Sequence, residues 1–212
     1  MAAGGANGPY LGLQLAHAFL LVGDPARMDA CLRWAVGEAA YTAGPPVDGA
    51  VPVQIVSGAW NEHHNYAVAS DFAEVPATWW YMGDIPHGWA AAEFQLLMRD
   101  ICFFESGEDD GPHVYLAPGV LPHWLAGGGE VRVRDAPTVF GVPFGFTLTH
   151  DAAAKTVTIT VTPPLPAHIG FVHPLRLGAA RRVVVDGADR PVAGGPDIVL
   201  PGGTGTAVIT YE

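Results

Sequence analysis

The segment Gly83-Asp84-Ile85-Pro86-His87-Gly88-Trp89 and the run that follows it constrain this chain most. Proline is well placed at the first residue of a helix, where its missing N–H and fixed φ cost nothing. Asp84 just ahead suits the positive end of the helix dipole. The segment therefore predicts a helix from Pro86 to about Phe104. Glu93, Gln95, Arg99 and Asp100 are its main polar interruptions, and a helix apolar almost all round is a buried one. Glu93 on such a helix must be paired or have a raised pKa, and a structural ion pair, for example to an arginine, is the expectation. Trp89 is expected in the core.

Two further helices precede it. Gly8-Pro9 opens one that runs to about Val22, and Gly23 suits the position just past its end. Asp24-Pro25 reads as the cap and first residue of a second, ending near Ala43 before Gly44-Pro45-Pro46. So short a connection makes a helical hairpin. Apolar residues recur at helical spacing at Tyr10, Leu13, Ala16, His17 and Leu20, and again at Met28, Cys31, Leu32, Ala35 and Ala39. Trp34 and Trp124 fit core positions.

From Val114 the pattern changes to short β-branched and aromatic runs between Gly, Pro and Asp turns. Strands are expected at Glu130–Arg134, Phe144–Thr149, Thr156–Thr162, Ile169–Arg176, Arg181–Val185, Asp197–Leu200 and Ala207–Tyr211. Strict alternation over 155–162 implies one dry face and one wet face. Asp151 and Asp186-Gly187 read as hairpin turns. The fold class expected is α+β: a helical domain over 1–110, with a long aromatic loop at 44–85, and an antiparallel β-sandwich over 114–212.

The chain is half hydrophobic, 15% charged and carries a net charge of −11. That balance argues against nucleic acid or an anionic membrane as partner. The apolar stretch from Tyr10 to Val22 lacks a basic flank and is too short to span a bilayer. Cys31 and Cys102 lie in apolar helical stretches and are expected as buried thiols.

The order of elements carries a resemblance. A helical hairpin and a polar-aromatic loop lead to Asp84-Ile85-Pro86-His87-Gly88-Trp89 and a buried helix. Then come Leu116-Ala117-Pro118-Gly119-Val120-Leu121-Pro122-His123-Trp124 and a β-domain containing Pro137-Thr138-Val139-Phe140-Gly141. This resembles the C-terminal end of six-hairpin, (α/α)6-toroid glycosidases, of the α-L-rhamnosidase-like and glycogen-debranching-like groups. The resemblance spans about 8–212 and implies a partial toroid followed by a β-sandwich. It departs from the family in supplying only a fraction of the toroid's helices. The upstream helices, which usually carry the general acid, are not in this sequence, so the chain looks truncated at its start.

Glycoside hydrolysis needs two carboxylates flanking the scissile bond. Aromatic faces that stack on sugar rings complete such a site. The loop offers both. The resemblance places Glu62 where toroid glycosidases often keep their second carboxylate, here a base activating water, with Asp84 as runner-up. Trp60, Trp79 and Trp80 are the stacking candidates, with His63 and His87 as further substrate-binding candidates. Two plainer readings compete: Asp84 as a helix cap, and Glu62 as a solvated loop charge. Glu62-His63-His64 is a poor metal site, because adjacent histidines do not share a metal as an i, i+4 helical pair does. No metal and no cofactor is expected. None of Ser57, Ser70 and Ser106 lies in a G-x-S-x-G elbow.

The expected function is thus a carbohydrate-active protein, a glycoside hydrolase or a fragment of one, with a carbohydrate ligand. The alternatives are a non-catalytic carbohydrate-binding or assembly module, and a small hydrolase of another class using the 57–89 loop. Three helices cannot by themselves bury a helix that is apolar all round. A homo-oligomer, or a missing N-terminal helical partner, is expected to cover it.

Overall fold

The computed structural model describes residues 9–33, 35, 63–64, 81–82, 87–108, 111–164, 168–172, 178–192 and 197–212. The fold is α+β. The chain forms two compact units, Met1–Met98 and Arg99–Glu212.

The first unit opens with α1 (Pro9–Leu21) and α2 (Pro25–Arg33). The turn between them uses the local chemistry expected of it. Gly23 adopts a φ of 71°. Its N–H donates to Leu20 O and the Asp24 N–H to Phe19 O, at 3.0 and 2.8 Å, which closes a Schellman motif. The Asp24 carboxylate then accepts the Arg27 N–H at 3.1 Å and caps α2. Leu13, Ala16 and Leu20 of α1 and Met28, Cys31 and Leu32 of α2 are buried where the hairpin closes. Of the expected continuation of α2 toward Ala43, Ala35 is described and buried, and the rest, Trp34 included, lies outside the described residues. A two-residue ladder, β1 (His63–His64) with β2 (Tyr81–Met82), belongs to the same unit, and β1 lies against α1.

Helix α3 (Gly88–Cys102) crosses the division between the units. It starts two residues later than Pro86 predicts, with Ala91 N–H donating to the carbonyl of His87 at 3.2 Å. It is also buried on one side only. Ala90, Leu97 and Ile101 are fully buried, whereas Trp89 is 67% exposed and Leu96 52% exposed. The core placement of Trp89 is therefore corrected: composition made the helix look buried all round, but the side chains actually covered are those at positions 90, 97 and 101. On α1 the exposed apolar residues are Leu11, Leu15 and Leu21, with Val22 just beyond its end.

Two sheets make up the second unit. The six-stranded one has the order β10 (Ala188–Arg190), β9 (Ala180–Val185), β12 (Thr206–Tyr211), β7 (Thr156–Thr162), β6 (Phe144–Asp151) and β5 (Glu130–Ala136), antiparallel throughout. The four-stranded one has the order β11 (Asp197–Leu200), β8 (His168–Val172), β4 (Gly111–Leu116) and β3 (Phe103–Glu108). Alternation holds as read: Val157, Ile159 and Val161 of β7 are buried, as are Ala207, Ile209 and Tyr211 of β12. The rings of Phe103 and Phe144, one from each sheet, meet edge to face with centroids 5.2 Å apart.

Three expectations change here. The buried helix stops at Cys102, and β3 follows at once inside the span expected to be helical. Pairing decides this: residues 103–108 run antiparallel to 111–116, from Phe103 opposite Leu116 to Glu108 opposite Gly111. Strand β4, unforeseen by the sequence reading, begins in the stretch before Val114. Finally, β4 and β8 are parallel, with Tyr115 opposite Gly170, so the second sheet is mixed. Several strands separate these two in the chain, which leaves room for the crossover a parallel pair needs.

Gly170 shows how close that pairing is. A Cβ there would stand 2.9 Å from Tyr115 Cε1. The Tyr115 ring in turn stacks on Phe104 of β3, with centroids 4.7 Å apart. The glycine leaves room for the ring to lie across the strand.

Burial sets a pH limit on this fold. It pushes the Tyr211 phenol above its ordinary value of 10.0 and the Cys102 and Cys31 thiols above 9.0. Below about pH 8 these groups are neutral folded and unfolded, and the stability they contribute is intact. As pH rises past those ordinary values the unfolded chain ionises first, so stability falls. Thermal melts from pH 8 to 11 should show a falling melting temperature, and Tyr211→Phe should flatten the fall above pH 10. An unchanged slope in that variant would assign the loss to other groups.

Candidate functional site

Of the residues expected to form a site, Glu62, Asp84, Trp60, Trp79 and Trp80 lie outside the described residues. His63 is described in its backbone, and His87 in full. The β1–β2 ladder pairs described residues that are near them in sequence. His63 is the register partner of Met82, and His64 of Tyr81. His63 directly follows Glu62, and Met82 comes two residues before Asp84. Tyr81 directly follows Trp80. The pairing thus sets the residue that follows one expected carboxylate opposite a residue two positions before the other, and the residue that follows Trp80 opposite His64.

His87 precedes α3 and is 7% exposed. Its Nδ1 is buried and has no hydrogen-bond partner among the described residues. Two aromatic rings stand against it. Tyr10, in the first turn of α1, meets it edge to face at 6.1 Å between centroids, and Trp89 is tilted against it at 5.8 Å. Tyr10 and Trp89 also touch each other at 5.9 Å. Gln14, one turn further along α1, donates from Nε2 to the Tyr10 hydroxyl at 2.6 Å.

One turn beyond Trp89 on the same face of α3 is Glu93. It pairs with His17 of α1, with Nδ1 and Oε1 2.9 Å apart and both side chains largely buried. The expected pairing of Glu93 is present, but the partner is a histidine and not an arginine. The reason is topological: α1 lies alongside this part of α3, and α1 carries no lysine or arginine.

Arg99 is engaged elsewhere. It bonds Asp100 at 2.9 Å and Glu105 at 2.7 Å, and its guanidinium lies over the Phe103 ring at 4.6 Å. The other oxygen of Glu105 accepts the Val139 N–H at 2.8 Å. Glu105 therefore anchors the Pro137–Gly141 loop to β3. That is a structural clamp, since both of its oxygens are taken up by fixed donors.

Tyr10 and Trp89, whose rings stand against His87, sit within apolar helical patterns where aromatics normally mean core, so the sequence does not single them out. Among the described residues no group of three or more His, Cys, Asp or Glu side chains is placed to hold a metal ion. Nor is any described helix long and apolar enough to cross a membrane. Cys31 and Cys102 are both free thiols. No protein-family model matches this chain, and no curated protein shows significant similarity to it.

Proposed function

We propose that this chain is a carbohydrate-active protein that hydrolyses glycosidic bonds with paired carboxylates. Glu62 is the base that activates water, Asp84 is the second carboxylate, and Trp60, Trp79 and Trp80 stack on the sugar. The observation that supports this reading is the β1–β2 register. It sets His63, which follows Glu62 in the chain, opposite Met82, two residues before Asp84, although Glu62 and Asp84 are more than twenty residues apart in sequence. Retaining and inverting pairs need carboxylates about 5–10 Å apart.

The exposed apolar residues of α1 and α3 support a further part of the reading, that the chain associates with a second copy or with additional helices. A non-catalytic carbohydrate-binding module remains the second reading, since an exposed tryptophan among polar groups serves binding as well as turnover.

The test is to incubate the chain with a panel of oligosaccharides and aryl glycosides. Product is followed by chromatography, and binding by tryptophan fluorescence. Turnover supports the hydrolase. Binding without turnover supports the module. A flat response in both measurements across the panel overturns the carbohydrate reading.

A further inference from the structure

Helix α1 carries two apolar stripes, and its hairpin with α2 uses only one of them. Leu13, Ala16 and Leu20 are buried where the hairpin closes. Leu11, Leu15, Ala18 and Val22 are all exposed, and they stand four, three and four residues apart. The Val22 N–H still donates to Ala18 O at 3.1 Å, so the outer stripe runs through it. That spacing is the seam of a helix packed lengthwise on another helix.

Apolar surface continues onto α3. Tyr10 touches Trp89 and His17 bonds Glu93, so the two helices lie alongside each other there. Trp89, Ala92 and Leu96 of α3, three and four residues apart, are exposed. Exposed apolar surface spanning two helices marks a site of association.

Charge and symmetry point to the occupant. The chain carries −11, so two copies repel each other in most approaches. No Asp, Glu, Lys or Arg occurs from Met1 to Gly23. The exposed Arg27 and Arg33 belong to α2, and each is neutralised locally, Arg27 by Asp24 at 3.4 Å and Arg33 by Asp29 at 2.7 Å. Glu93 is largely buried against His17. The hairpin thus has no net charge, and two copies of an acidic chain can meet there without like-charge repulsion. The seam also complements itself. A two-fold axis midway between positions 15 and 18 sets Leu15 against the partner's Ala18 and Leu11 against the partner's Val22, a larger side chain against a smaller one each time.

We propose that the outward face of α1 is a dimer interface, on which a second copy of this chain packs its own α1 antiparallel, with Trp89 and Leu96 of α3 beside the seam. This rests on the association reading above, to which it assigns the partner and the residues, and it is independent of the carbohydrate reading.

The experiment is sedimentation velocity on the intact chain from about 1 to about 100 μM, a range that reads micromolar association. It is run on the parent, on Leu15→Lys, on Ala18→Glu and on the variant carrying both changes. Both positions are exposed, so the fold should survive, which thermal melts check. Expected is a parent that dimerises as concentration rises. Each single variant should associate at least about tenfold more weakly, because it presses an unpaired charge into an apolar seam. The double variant should recover much of the loss, since each new ammonium then faces the partner's new carboxylate. Should one of these variants fail to fold, Leu11→Lys, Val22→Glu and their combination are read in the same way. A parent that stays monomeric throughout overturns the proposal, and flotation with phosphatidylcholine vesicles then reads whether a lipid surface takes this face instead. A dimer that Leu15→Lys leaves intact overturns the seam while association itself stands. Weakened single variants with no recovery in the double variant overturn the antiparallel register.

Discussion

Gly145→Ala is expected to destabilise the second unit by about 3 kcal/mol, at the upper end of what overpacking a filled site costs. Gly145 lies in β6, opposite the irregularity that β5 makes between Val133 and Ala136. At that bulge Asp135 adopts a φ of 50°. A Cβ on Gly145 would stand 2.7 Å from the Val133 carbonyl oxygen, and at an ordinary contact distance of 3.4 Å from the Thr162 carbonyl oxygen. The close obstacle is backbone, so no rotamer change relieves the contact. Either the bulge or the β6–β7 pairing must shift. Gly141→Ala is the control. Its φ is 73° and nothing lies within reach of an added Cβ, so only the left-handed backbone is penalised, at about 1 kcal/mol. Chemical denaturation of the three proteins checks both values. Equal stability of Gly145→Ala and the parent would show that β5 does not crowd β6 there.

Glu62→Gln is expected to lower glycoside turnover at least about a hundredfold, the usual cost of removing a general base. Melting temperature should change little, because the substitution is isosteric and removes only a charge. Turnover by the parent chain is itself expected to be weak. On the proposed reading Asp84 is the second carboxylate and serves as the proton donor. Asp84→Asn should then reduce turnover of substrates with poor leaving groups more than of activated aryl glycosides, because only the former need protonation to depart. Rate measurements on both substrate types separate the two roles. Full activity in Glu62→Gln would remove Glu62 as the base and move the search to Asp84, Glu74 and the histidines.

The sequence by itself determined those features whose cause is local. Gly23 had to end α1, because the residue there needs a positive φ, and Asp24-Pro25 had to begin α2, because a carboxylate and a missing N–H suit a helix start. Strand β7 was legible with its buried face, since alternation of period two leaves one assignment of inside and outside. The Asp186-Gly187 turn, with φ of 49° and 82°, follows from residues that tolerate the left-handed region.

Only the tertiary structure decided what depends on a distant partner. Phe103 and Phe104 continue a helical pattern and became strand because residues 111–116 were there to pair with them. The parallel match of Tyr115 with Gly170 joins residues far apart in the chain, and no periodicity encodes it. Glu93 announced that it needed a partner, but the partner became His17 only once α1 lay beside α3. Trp89 illustrates the limit most directly. Hydrophobicity shows that a side chain gains from burial, whereas which side of a helix is covered depends on what packs there, and α3 leaves that tryptophan in the open beside His87.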